Sequence, residues 1–179
     1  MSNANNPHGL RPIMRTLEGG FPTVRPYNKA VGTTTGIFIN DAVVMIADGS
    51  VSAATGDITP GTTAYSGVAL NFGITTKATK HLVIVSPSAV YEAQDDDSGA
   101  GILAADIGLN ANVALGAGSA TTLLSAHTIH DTGKQTTNTL DLHLLQLLAV
   151  PDNDPAGGPF ARVEVIFNKH RMAGTTAGV

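Results

Sequence analysis

This 179-residue sequence predicts an all-β protein, a single β-barrel or jelly-roll-like domain with an extended N-terminal arm. From residue 30 onward, short apolar runs alternate with turns rich in Gly, Asp and Thr, as in sandwiches, jelly rolls and barrels. Asp48-Gly49 lies between two such runs and predicts a hairpin, because both central residues of a type I′ turn need φ > 0. Four prolines in the first 28 residues predict an extended segment that contains no helix.

The predicted organisation is an N-terminal arm over 1–28, a body over 29–171 and a flexible tail over 172–179. Residues 1–30 carry four basic groups and one acid, whereas the remainder carries six basic groups and thirteen acids. A basic, extended segment with spaced apolar residues is typical of a chain that binds along an acidic neighbouring surface. We therefore expect the arm to contribute little to the fold and much to attachment.

The body divides into short predicted strands. Apolar runs predict them, in chain order, within 36–49 (two runs, broken at Asn40-Asp41) and at 66–72, 81–86, 89–93, 112–115 and 161–167. Two Ala- and Leu-rich stretches, 102–107 and 117–125, are compatible with a helical turn each. The stretch 140–150 fits both the strand and the helix period, and we favour a strand because it is short and ends at Pro151.

The composition excludes several classes of protein. Charged residues are only 13% of the chain, about half of the fraction usual in soluble domains, so we expect another protein to cover part of the surface. The chain has no Cys, which excludes disulfides, thiolate metal sites and Cys nucleophiles. The 4% aromatic content argues against a nucleic-acid partner. We expect no membrane contact and synthesis in a cytoplasm, since neither a signal segment nor an apolar run of ~20 residues occurs.

Two groups of residues could in principle hold a metal ion. His127, His130, Asp131 and His143 are of ligand type, but i and i+3 on a strand face opposite sides, so we interpret the histidines as surface or interface residues. The run 95–99 resembles part of a calcium loop, but glycines occupy later ligand positions, and a solvated loop is predicted.

Catalytic and cofactor motifs are incomplete in this sequence. The Gly116-Ala-Gly118 stretch lacks the third glycine of a dinucleotide fingerprint. No nucleophile elbow or phosphate-binding loop is found, and few Lys, His and Glu residues are available for acid–base chemistry. We therefore expect a protein that is not an enzyme and that has no cofactor.

Short motifs at both ends of the chain follow one another in a recognisable order. The run Asn6-Pro7-His8-Gly9-Leu10-Arg11-Pro12 stands near the start. In the last third, 144–150 is followed by Pro151-Asp152-Asn153, a Gly-containing loop and 163–170, and the middle has Ile39-Asn40-Asp41 before an apolar run. In this order the motifs resemble those of head decoration, or cement, proteins of tailed bacteriophages. The resemblance covers most of the chain, and the region 100–125 departs from it.

The resemblance implies a generally trimeric β-barrel or jelly-roll protein on the outer capsid surface of the virion. There it would bind at capsomer junctions and stabilise the head against the pressure of the packed genome. The implied partners are the major capsid protein, further copies in a homotrimer and neighbouring decoration proteins, without direct nucleic-acid contact. The capsid-binding residues are expected in the arm, at Pro7, His8, Gly9, Leu10, Arg11, Pro12, Ile13, Arg15 and Leu17.

Two other functions remain as alternatives at the level of the sequence. One is a carbohydrate-binding or host-recognition module on the virion, although the chain has only three tyrosines to offer as sugar platforms. The other is a tail or connector structural protein. Binding to isolated empty heads or to isolated tails would separate these roles.

Overall fold

The computed structural model describes residues 3–30, 36–53, 56, 58–73 and 80–173. Within these ranges the chain forms thirteen β-strands and one 3₁₀ turn, and the described residues contain no α-helix. The predicted all-β class is therefore confirmed.

The larger sheet contains six antiparallel strands and curls on itself. In spatial order the strands are β1 (Arg11–Thr16), β7 (Ala89–Gln94), β13 (Arg162–Phe167), β11 (Leu142–Leu147), β9 (Asn110–Ala114) and β10 (Thr128–Gln135). The end of β7 also meets β10, where the Asp96 amide donates to the Ile129 carbonyl at 2.9 Å. This contact gives the sheet the shape of a half-barrel.

A second antiparallel sheet has five strands, and a third has two. The five strands, in spatial order, are β2 (Val24–Asn28), β6 (Lys80–Ile84), β5 (Gly67–Ala69), β3 (Ala42–Met45) and β4 (Val51–Ser52). The two-stranded sheet pairs β12 (Gly157–Gly158) with β8 (Ile102–Leu103). The hairpin predicted around Asp48-Gly49 joins β3 to β4, but only Gly49 has a positive φ, of 79°. Its three-residue loop therefore differs from the predicted type I′ turn.

The main core contains residues from both larger sheets. Its aromatic centre is Phe167, whose ring stacks on Tyr65 at 4.9 Å and contacts Tyr91 edge-on at 5.4 Å. Leu10, Ile84 and many other buried side chains belong to the same cluster. A smaller apolar cluster includes Val43, Ala69, Val83 and other buried residues, four of them on strands β3 to β6 of the second sheet. Such contiguous burial is the main source of stability for a domain of this size.

The structure corrects the boundary predicted for the N-terminal arm. The segment is extended, as expected, but β1 pairs with β7 and β2 pairs with β6, so both strands belong to the body. From the sequence alone, the prolines indicate a segment outside the body. Proline excludes a helix, but it is allowed in a strand at the edge of a sheet. Pro12 lies in β1 and Pro26 in β2, and both strands are edge strands.

The stretches with two possible structures are resolved as follows. The stretch 140–150 contains strand β11, as favoured. The stretch 102–107 contains strand β8 and then a 3₁₀ turn over Ala104–Asp106. The stretch 117–125 has no helix and forms a turn before a single bridge at Leu124. Of the predicted tail, Met172 and Ala173 are described, and its last six residues lie outside the described ranges.

Candidate functional site

The N-terminal motif is bound to the body through its own backbone. The Leu10 amide donates to the Asn40 carbonyl at 3.0 Å, and the Asn40 side-chain amide donates to the His8 carbonyl at 2.9 Å. Gly9 has φ +75°, and a Cβ placed there would lie 2.4 Å from the Cβ of Ser125. Only glycine fits this position, because a side chain would be strained by the backbone and would clash with Ser125.

Two glutamates stand directly opposite each other on the side of the larger sheet that faces away from the main core. Glu92 of β7 is paired in register with Glu164 of β13, and both side chains are largely buried. Like charges in such a cross-strand pair repel each other. Strand β1 supplies the compensating charges, because Arg11 binds Glu92 and Arg15 binds Glu164.

Glu92 has two further basic neighbours. Nη1 of Arg162 lies 3.5 Å from one carboxylate oxygen, and Nε2 of His8 lies 3.3 Å from the same oxygen. Burial by itself would raise the pKa of Glu92, but the hydrogen bonds and charges of His8 and Arg11 lower it overall. The carboxylate is therefore ionised in the folded protein at neutral pH.

The predicted capsid-binding residues thus fall into two groups. Gly9, Leu10, Arg11 and Arg15 bind the body of the same chain, and Leu10 is completely buried in the main core. Leu10 was expected to contact the capsid, and its complete burial in this chain shows that this expectation is wrong. The two arginines bind carboxylates of their own chain. His8, Pro12 and Ile13 are half-buried, whereas Pro7 and Leu17 are exposed.

A cleft of about 280 Å³ lies where the N-terminal motif meets the loop before β13. Its lining includes Arg11, Asp152, Phe160 and Arg162. Arg162 binds Asp152, and the Gln94 side chain holds the N-terminal segment by donating to the Ala4 carbonyl at 2.6 Å. Parts of the two end motifs, which are distant in sequence, therefore meet around one polar cleft. No sequence signal places Phe160 or Gln94 there.

The acidic run after β7 is more buried than the sequence suggested. Carboxylate oxygens of Asp95, Asp96 and Asp131 lie within 4.8 Å of one another. Each carboxylate already accepts hydrogen bonds from the protein: Asp95 from the Ala161 amide at 3.0 Å, Asp96 from His130 at 2.7 Å, and Asp131 from Ser98 at 2.6 Å. Asp95 is buried, so the prediction of a solvated loop is wrong at this residue, whereas 97–99 are exposed as predicted. Asp131 of β10 is buried as well. The cluster links β7, β10 and β13.

A second polar cluster is buried around His127, one of the histidines interpreted from the sequence as surface or interface residues. Nδ1 of His127 accepts from the Ala42 amide at 3.2 Å, and Nε2 faces a carboxylate oxygen of Asp41 at 3.6 Å. Burial lowers the pKa of His127 to about 4 and raises the pKa of Asp41 to about 6. Ser125 is bonded to Asp41 rather than to the imidazole, so the cluster lacks the nucleophile–base contact of a hydrolase triad.

The buried Asp41 predicts a stability effect with a definite pH dependence. Because its folded-state pKa is raised to about 6 from 3.8, Asp41 favours the folded state at low pH, and this contribution is lost as the pH rises through 6. Asp41→Asn keeps the acceptor for the Phe38 amide and removes the charge. We expect the variant to be more stable than the wild type at pH 7, by at most about 3 kcal/mol.

This advantage should shrink toward zero as the pH falls to about 4. Urea unfolding of both proteins at pH 7 and pH 4 measures it, and contributions from other buried groups cancel in the difference. An Asp41→Asn protein that is less stable than the wild type by the same amount at both pH values would contradict the assignment.

Comparisons of the chain with protein-family models, with curated proteins and with solved structures found no match. In the described part of the chain, no helix is long and apolar enough to cross a membrane.

Proposed function

We propose that the protein is a virion structural protein, a capsid decoration or cement protein that binds the outer capsid surface at capsomer junctions. The observation that carries the proposal is the meeting of the two end motifs in the folded chain. Arg11 of the first motif and Arg162, which precedes the last, both lie on Glu92, and Asp152 of the second motif lines the same cleft. The motifs behind the resemblance thus belong to one structural unit.

The composition and the surface support this role physically. A protein that bridges capsid subunits needs a large contact surface with few charges, and here only 13% of residues are charged. Several large apolar side chains are also exposed, including Met14, Leu17, Phe21 and Val24 in one short segment. Surface patches of this kind usually mark contacts with other proteins. The role requires no reaction centre.

The proposal includes the quaternary structure and the shape of the body. We propose that the two larger sheets together form one barrel or jelly-roll-like body, and that three copies associate into a homotrimer beside neighbouring decoration proteins. A trimer gains avidity on the capsid, because after one copy binds, the others bind at a high effective concentration. Each added contact raises the free energy needed to separate adjacent capsomers under internal pressure.

Purified particles provide the test of this function. We expect the protein to occur in a fixed ratio to the major capsid protein, and to bind isolated empty heads but not isolated tails. Quantitative mass spectrometry of particles and co-sedimentation with heads and with tails measure the two quantities. Heads without the protein should also release their DNA at a lower temperature. Binding to tails alone would instead support the tail or connector role.

A further inference from the structure

The apolar inner face of the second sheet continues beyond the core at one edge. Val68, Ile84 and Val24 are paired across strands β5, β6 and β2 and therefore point to the same side of the sheet. Val68 and Ile84 are completely buried in the main core, whereas Val24 is 38% exposed. The last side chain of this apolar row, on the edge strand β2, is therefore partly exposed to solvent.

The adjacent row and the preceding loop show the same exposure. Leu82 of β6 is paired with Pro26 of β2, two residues from the first row and on the same face, and it is 47% exposed. Phe21, three residues before Val24, is 87% exposed, the highest value among the large apolar side chains of the described residues. We call Phe21, Val24, Pro26 and Leu82 the β2–β6 patch.

One exposed cation lies on the face of the β2–β6 patch. Lys80 of β6 is two residues from Leu82 and therefore points to the same side of the sheet. Arg25 is also exposed, but it is paired with Val83 between Val24 and Pro26 and points to the opposite side. The chain has no Asp or Glu over 19–40 or over 58–91, the two stretches that contain these strands, so Lys80 has no carboxylate of its own strand pair to bind. The patch therefore complements an apolar surface that carries acidic groups.

The strand edge itself is poorly suited to backbone pairing with another protein. Pro26 lies in the middle of the edge strand β2 and has no N–H to donate to an added strand. A partner would therefore contact the side chains of the patch rather than extend the sheet.

We propose that the β2–β6 patch is the surface with which this protein docks on a partner protein whose binding site is an apolar pocket rimmed by carboxylates. The inference rests on the proposed function, in which the partner is the major capsid protein. It moves the docking surface from the segment 7–17, where the sequence analysis expected it, to the next strand of the chain. Exposed aromatic and aliphatic side chains supply the binding energy, and Lys80 orients the contact.

Co-sedimentation with purified capsids that lack the protein tests the proposal. Phe21→Ser and Leu82→Ser should each weaken binding at least tenfold, which corresponds to about 1.4 kcal/mol. The matched control is Leu103→Ser, because Leu103 also lies on a strand and is 42% exposed, but belongs to the separate two-stranded sheet. The control variant should bind as the wild type does. Circular dichroism melting curves should be unchanged for all three, since each side chain is exposed.

A charge variant provides an independent arm of the test. Lys80→Glu should also weaken capsid binding, and the loss should be smaller at 0.5 M salt, because salt screens the repulsion from the partner's carboxylates. Arg25→Glu is the matched control, because Arg25 is exposed on the opposite face of the same strands, and it should bind as the wild type does. A loss that is the same at low and high salt would contradict the acidic rim.

The possible outcomes separate this inference from the proposed function. If the wild type does not bind capsids, both are overturned. If the wild type binds and the Phe21 and Leu82 variants bind equally well, the capsid role stands and the β2–β6 patch is not the docking surface. Light scattering gives the mass of each variant. If the patch variants dissociate into monomers from a wild-type oligomer, a second copy covers the patch, and the inference is likewise overturned.

Discussion

Leu10→Ala is expected to lower the free energy of unfolding by about 2–5 kcal/mol, the usual cost of removing a buried aliphatic side chain. Leu10 is completely buried in the main core, although it belongs to the segment that the sequence assigned to an external arm. For a chain of this size, the loss corresponds to a fall in Tm of roughly 5–15 °C. Deleting residues 3–20 also removes strand β1, and we expect that protein to be unfolded or insoluble.

Leu17→Ala is the matched control, since Leu17 lies in the same segment and is half exposed. Its substitution should change the free energy of unfolding by less than about 1 kcal/mol. Calorimetry or urea unfolding of the two variants measures the difference. A truncated protein that lacks 3–20 and keeps the wild-type Tm would show that β1 is dispensable for the folded body.

The second large effect is expected from replacing Arg11 and Arg15 together by Ala. The double variant leaves Glu92 and Glu164 opposite each other without the cations of β1. Removing one partner of a buried pair can cost 3–5 kcal/mol. Because both arginines are about half exposed to solvent, we expect a smaller loss, about 1–3 kcal/mol.

Glu92→Gln together with Glu164→Gln is the background that isolates this effect. Without the two carboxylates, the arginine substitutions should cost little, and the difference between the two backgrounds is the coupling energy. The pH dependence gives a second readout. The lowered pKa of Glu92 stabilises the wild type above the usual carboxyl pKa of 4.5, and this stabilisation is lost as the pH falls. In the arginine variant this pH dependence should be weaker, because Arg11 no longer lowers the pKa of Glu92 whereas His8 still does.

If the arginine double variant is as stable as the wild type but binds capsids weakly, then the two arginines contact the partner. In that case their ion pairs with Glu92 and Glu164 contribute little to the stability of the fold. The experiment therefore distinguishes between the role suggested by the sequence and the role suggested by the fold.

The sequence identified several strands of the body because their signals are local. Alternating apolar residues in 161–167 and the Asp48-Gly49 turn depend only on neighbouring residues, and both were placed correctly. For 140–150 the sequence fitted both periods and only favoured a strand, and the structure has strand β11 there. The end motifs were also visible as ordered runs of residues.

The candidate site was predicted only in part, because its contacts depend on residues far apart in the chain. Arg11 and Arg15 were predicted as capsid-binding residues, because a sequence does not reveal which carboxylate an arginine will bind. That choice follows from the register of β7 with β13, which places Glu92 beside Glu164. The positions of Gln94 and Phe160 beside the cleft follow from the same packing.

The all-β class, the low charge density and the exclusion of a helix from the first 28 residues were therefore determined by the sequence itself. The tertiary structure decided that strands β1 and β2 belong to the body, that Leu10 lies in the core, and that Val24 of β2 and Leu82 of β6 are exposed. The physical reason is that proline and residue period restrict the backbone locally, whereas burial and charge compensation depend on which distant strands pair.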